Sequence, residues 1–222
     1  FGATSNTNWK ILLDEASGID EVRWVQVADN RLRLFIDLTH KGHWGYHVEY
    51  GWRGQMRIVV KRPPVIEEAL MPLKNRIIAV DAGHGGHNKG ALGSTGVMEK
   101  EVALAISKKL EELLIEAGAK VVMTRTDDSY LYMSERAKIV RANHAELLVS
   151  IHANSIGYAT DPRKMSGTGA FYKHMAYKPL AEIIYNKMRE LGLDDYGLTG
   201  SFNFTLNAPT DFPNVLVETA FL

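Results

Sequence analysis

The sequence predicts an α/β protein: a mostly parallel sheet with helices on both faces, preceded by a small all-β lobe. From Arg76 onward, short apolar runs alternate with longer segments of helical period. Strands joined by helical crossovers pair in parallel and are covered on both faces. Before residue 62 the apolar residues alternate singly, the period of strands with one wet face. Between these regions Pro63-Pro64 removes two backbone donors in succession, and the stretch to Asn75 reads as extended linker. The expected division is a β lobe at 1–62, a linker at 63–75 and the main domain at 76–222.

In the lobe, Leu32, Leu34, Ile36 and Leu38 alternate after the turn residues Asp29-Asn30, and Met56, Ile58 and Val60 alternate after Gly51–Gly54. The main domain opens with the apolar strand Ile77-Ile78-Ala79-Val80, which runs into a glycine-rich loop. Val102, Ile106, Leu110, Leu113 and Ala117 then form one helical stripe, stopped by Gly118 at the position favoured after a helix end. Val121–Met123 is the next strand, Met133–Asn143 a helix, and Leu147–Ile151 a strand. Another strand lies near Gly169–Tyr172. A helix follows with Leu180, Ile183, Ile184, Met188 and Leu191, and Val215–Val217 is the last strand. The long segments Ala153–Gly167 and Gly192–Pro213 are expected to border the cleft.

The composition excludes several functions. With 26 Lys+Arg against 26 Asp+Glu the formal charge is zero, which leaves no basic footprint for nucleic acid. No apolar run approaches the ~18 residues of a spanning helix. There is no cysteine among the 222 residues, so thiolate metal sites and thiol nucleophiles are absent and chemistry falls to His, Asp, Glu, Ser or Lys. The sequence starts at Phe1, as expected of a processed or excised form whose export signal is gone.

Two of the eight histidines stand where a site is expected. His84, in Asp81-Ala82-Gly83-His84-Gly85-Gly86, lies just past the carboxyl end of one strand; His152 ends another. Glu218 follows Val215-Leu216-Val217 in the same way. Ligands of open α/β sheets bind beyond the carboxyl ends of the strands, so these side chains converge. Glu99, at the start of the first long helix, is the natural fourth member. Two imidazoles and a carboxylate suit zinc with an open position for water. The structural alternative stays open: each His as a hydrogen-bonded strand-end residue, Glu99 as a first-turn carboxylate favoured by the helix dipole. Glu218 resists that reading, because a buried carboxylate ending a core strand needs a nearby cation.

The glycine loop has a rival meaning as a phosphate cradle. Both the Walker pattern and the dinucleotide fingerprint fail at Asn88, where each requires glycine. His40, His43 and His47 form another group, with His43 and His47 placed on one face of a strand; Gly45 between them and the lack of a nearby carboxylate favour an aromatic surface over a metal site. No G-x-S-x-G elbow exists.

These residues resemble a family. Ile78-Ala-Val-Asp-Ala-Gly-His-Gly-Gly86, Gly90-Ala91, Glu99-Lys100, Thr124-Arg125, Arg136, Ser150-Ile-His-Ala-Asn154 and Leu216-Val-Glu-Thr-Ala-Phe221 are similar to the zinc-dependent N-acetylmuramoyl-L-alanine amidases of the amidase 3 type. The resemblance covers residues 76–222. It implies one Zn2+ per chain held by His84, Glu99 and His152, with Glu218 as the catalytic carboxylate and no organic cofactor. It implies hydrolysis of the amide joining N-acetylmuramic acid to L-alanine, in peptidoglycan or muropeptides, in the periplasm or outside the cell. Arg136 matches the family's arginine, in a role left open between structure and substrate. Asn88 stands where relatives commonly carry Asp, and Ala82 where Pro is usual. The family usually continues into a further helix, so the main domain is expected to lack its C-terminal helix. The alternatives are a zinc peptidase acting on other peptides, or a non-catalytic wall-binding protein. The retention of both His and both Glu argues against the latter.

Overall fold

The computed structural model describes residues 18–155 and 165–222. Two separate antiparallel hairpins come first: β1 (Ile19–Ala28) with β2 (Arg31–Leu38), and β3 (Tyr46–Tyr50) with β4 (Met56–Val60). Strand β1 escapes a period-two reading because the register shifts between Ile19 and Glu21 and again between Gln26 and Ala28, which breaks its alternation. Residues 1–17 of the expected lobe lie outside the described residues. No helix or strand occupies residues 61–76.

The main domain follows as β5 (Ile77–Ala82), α1 (Glu99–Glu116), β6 (Lys120–Met123), α2 (Met133–Ala142), β7 (Leu147–Asn154), β8 (Thr168–Tyr172), α3 (Lys178–Arg189), β9 (Asp195–Gly200) and β10 (Asn214–Phe221). These strands form a six-stranded sheet in the order β6-β5-β7-β10-β8-β9. Every neighbouring pair is parallel except β10 with β8.

Alternation along the central strands divides the core. Val80, Val149, Ile151, Val215 and Val217 face α1 and α3 through Ala103, Ile106, Leu110, Ala181 and Ile184. Ala79 and Leu148 face the other way, onto Ala137 and Val140 of α2 and onto Leu206 and Phe212. Helices therefore cover both faces, as expected. Burying each such Val or Leu contributes roughly 1.5–3 kcal/mol. Gly118 ends α1 in the left-handed region, φ +89°, where its N–H bonds to the carbonyl of Ile115 at 2.9 Å.

The segment 192–213 differs from its expected role beside the cleft. It supplies the edge strand β9, whose short, glycine-bearing Asp-Tyr-Gly-Leu-Thr-Gly run carries little apolar periodicity. Its far end, Asp211-Phe212, turns to the opposite end of the sheet, where the β lobe docks. There the N–H of Tyr46 donates to the carbonyl of Thr210 at 2.6 Å. Gly45, φ +123°, lies so close to the backbone of Asp211 that a Cβ would stand 2.6 Å from it.

Candidate metal centre and active site

The three predicted ligands arrive on separate elements. His84 follows β5 in a left-handed conformation, φ +61°, uncommon for a residue with a Cβ. His152 lies within β7, and Glu218 is its register partner in the adjacent β10. Glu99 is the first residue of α1, where the helix N-terminus favours a carboxylate.

Their side chains converge. Nε2 of His84 and Nδ1 of His152 each lie 2.9 Å from Oε1 of Glu99. One ligand atom from each residue falls within 4.8 Å of the others, an arrangement able to hold a metal ion. The remaining Glu99 oxygen accepts the N–H of Ala91 at 2.7 Å. Asn88 Oδ1 accepts the N–H of Gly90 at 3.2 Å, which fixes the orientation of its amide. The Nδ1 of His84, 3.0 Å from the same oxygen, must then carry a proton, so that Nε2, which faces Glu99, is the nitrogen that would offer its electron pair to a metal. Two glycines make this convergence possible. A Cβ on Gly90 would stand 2.4 Å from Oε2 of Glu99, and one on Gly83 would stand 2.5 Å from the His152 ring.

The two glutamates are electrostatic opposites. Burial alone would raise the carboxyl of Glu99, but hydrogen bonds from His152, His84 and Ala91 outweigh it and hold the group well below the usual range. Glu218 is buried and pushed up to about 7, first by desolvation and then by the negative charge of Glu99, with His152 and His84 opposing. Its Oε2 is buried with no hydrogen-bond partner among the described residues. An orphaned carboxylate oxygen beside a metal-competent cluster is the arrangement a proton acceptor needs. For His84, burial pulls the imidazole down, yet the bond and charge of Glu99 prevail and raise it.

Beneath the loop lies a network that sequence reading did not single out. Asp81, fully buried, accepts from Thr124 Oγ1 at 2.6 Å, Ser150 Oγ at 2.6 Å and Arg136 Nη1 at 2.8 Å. Arg136 also donates to the carbonyls of Ala82 and His84, and Arg125 to those of Ala82, Gly83 and Lys100. Arg136 is thus structural: it is fully buried and faces main chain, not the cleft. The available signal was a charged residue inside otherwise apolar periodicity, without any indication of its partner.

The other candidates separate out. The glycine loop is no phosphate cradle, since the N–H groups of Gly83, Gly85 and Gly86 already donate to Ile151, Asn88 and Asp128. His43 does not share a strand with His47: it precedes β3, and its ring packs edge-on against Tyr46 and Tyr177. The glycine between them bends the chain into the seam. His47 does have a nearby carboxylate, Glu49 at 2.9 Å, which pairs with it along the strand. Part of the segment 153–167, residues 156–164, lies outside the described residues.

An open, mostly parallel sheet with a His–Glu–His cluster and a lone carboxylate at its strand ends defines an α/β enzyme scaffold competent to hold a metal. The sequence profile of the N-acetylmuramoyl-L-alanine amidase family matches residues 78–222. The chain belongs to this family and is a peptidoglycan amidase. It is 36% identical over 160 residues to the uncharacterized protein YqiI of Bacillus subtilis, covering 70% of this chain and 74% of that one. It is 33% identical over 174 residues to the N-acetylmuramoyl-L-alanine amidase LytC of Bacillus subtilis, covering 74% of this chain and only 34% of that longer one. The catalytic domain of CwlV, an amidase from Bacillus (Paenibacillus) polymyxa var. colistinus, superposes with a TM-score of 0.60 at 34% identity, over 66% of this chain and 80% of that one.

Proposed function

We propose that this amidase uses one zinc ion, held by His84, Glu99 and His152, and that Glu218 moves the protons of the reaction. The observation that carries this reading is the orphaned, buried Oε2 of Glu218 next to three ligand atoms gathered within 4.8 Å. The donor set fits: two imidazole nitrogens and one carboxylate oxygen leave a position open for water.

Bound zinc would polarise the scissile carbonyl and acidify a water molecule. The chain's own residues do the rest. Asn88 holds the His84 tautomer, and Ala91 fixes Glu99. Glu218 accepts the water's proton at Oε2 and delivers it to the departing alanine nitrogen, as base and then as acid. A bound cation would favour the ionised form of the Glu218 carboxyl, the form in which it accepts a proton. In the same reading residues 1–62 position the wall, 63–75 link, and 76–222 catalyse, in the bacterial cell envelope.

Mass spectrometry of digested peptidoglycan tests the bond: stem peptides beginning with free L-alanine and uncut glycan are expected, whereas cleavage inside the peptide overturns the reading. His84→Ala and His152→Ala should each purify without stoichiometric zinc by elemental analysis. Full zinc in both variants would remove them as ligands.

A further inference from the structure

A cavity of about 930 Å³ lies away from the metal-competent cluster. Arg76, Glu146 and Phe212 precede β5, β7 and β10, so the cavity opens at the amino ends of these strands, while His84, His152 and Glu218 lie toward their carboxyl ends. Its other wall comes from the β lobe, through Trp44 and Lys61. The cavity is held open by the seam already described, in which Gly45 and Tyr46 lock onto Thr210 and Asp211.

The lining chemistry is specific. Four cations, Lys61, Arg62, Arg76 and Arg141, face two acids, Glu146 and Asp211. Asp211 accepts a two-pronged bond from Arg141 at 2.7 and 2.9 Å, and Glu146 lies 3.6 Å from Arg76. Lys61 acts on Asp211 through its charge at longer range, with Arg141 holding the direct bonds to that carboxylate. His144, exposed and held at φ +54°, adds a further donor at the rim. The indole Nε1 of Trp44 is buried without a partner among the described residues. An aromatic face with an unanswered donor, in a lining where cations outnumber acids four to two, suits a sugar ring bearing an acidic substituent. The volume is that of a ligand pocket, and its position between two lobes is a common one for such sites.

We propose that this cavity is a second binding site for peptidoglycan, taking a saccharide of the strand together with a stem-peptide carboxylate. The proposal rests on the wall-hydrolase reading above and adds to it a site remote from the bond cut. Engaging one polymer at both ends of the sheet raises the local concentration of scissile amide without altering the chemistry.

The test uses the whole chain carrying Glu218→Gln, so that the walls are bound but not digested, with sacculi stripped of phosphodiester polymers. Sedimentation with these sacculi should give an apparent affinity at least tenfold weaker for Lys61→Glu and for His144→Glu, and the parent's binding should weaken with salt. With Glu218 restored, both variants should keep kcat/KM on a small soluble muropeptide within about twofold of the parent, which also shows that they fold. Trp44→Phe, which keeps the ring and deletes the donor, should fall between parent and Lys61→Glu. Unchanged wall binding in both charge variants overturns the proposal, as does parent binding that vanishes once phosphodiester polymers are stripped. Loss of the parent's muropeptide activity would instead indict the catalytic reading and leave the binding result standing.

Discussion

Asp81 on β5 and Glu218 on β10 flank β7 from its two sides, and both carboxylates are buried. Asp81 is saturated: a guanidinium and two hydroxyls converge on it, and although burial alone would raise its carboxyl, Arg136 and the hydroxyls hold it below the usual range. Glu218 has an oxygen with no partner among the described residues and is raised to about 7. The same depth in the same sheet therefore produces opposite electrostatics, decided by whether donors were provided. A buried acid with both oxygens answered holds the fold together. One left unanswered costs stability, and is retained for what it can do to a proton.

Substitution of each acid by its amide breaks this comparison most sharply. Glu218→Gln should keep near-stoichiometric zinc while turnover falls by on the order of 10²–10⁴, the usual contribution of a positioned acid–base group. Glu99→Gln should instead bind zinc weakly and recover part of its activity when zinc is added. If Glu218→Gln sheds the metal while Glu99→Gln holds it, the two roles are reversed. Asp81→Asn acts on folding rather than turnover. It leaves Arg136 as an uncompensated buried charge, for which a loss of about 3–5 kcal/mol is expected in urea unfolding.

The smallest effect is on pH dependence, and the two acids should have opposite signs. A carboxyl depressed in the folded state stabilises above its unfolded pKa, and that stability is lost as pH falls through the folded value. Asp81 should therefore add acid lability below about pH 4, and the Asn variant should lack that part of the slope. A carboxyl raised in the folded state has the reverse effect, lowering stability as pH climbs from its unfolded value towards about 7. Metal-free Glu218→Gln should thus gain in Tm over its metal-free parent at pH 8 and not at pH 4. Equal Tm differences at both pH values would mean that Glu218 is not raised.

The proposed metal ligands were legible because each sits on a local signal: His84 and His152 at strand ends, Glu99 opening a helix. The strands and helices of the main domain were equally local, apart from β9, whose glycine and polar residues mask its period. What the sequence hid is pairing at a distance. Nothing near Asp81 announces Arg136, 55 residues away, and nothing near Gly45 announces the backbone of Asp211. The resemblance named Arg136 without assigning its work. Only the fold shows that it reaches main-chain carbonyls. The two ends of the strands were unequal for the same reason: one carries motifs, the other is assembled from residues that are unremarkable one at a time.

The grip of Arg125 and Arg136 on the carbonyls of Ala82, Gly83 and His84 has a consequence for how the ion comes and goes. Small metal-nucleated domains are two-state systems, unfolded when stripped. Here the loop's path is set from below by guanidinium bonds to backbone that no zinc ligand supplies. Loading and folding are therefore separate equilibria. With the proposed zinc, a chelated molecule should keep its socket and refill by local exchange, the ion's release being set by its ligand bonds rather than by the unfolding rate of the domain.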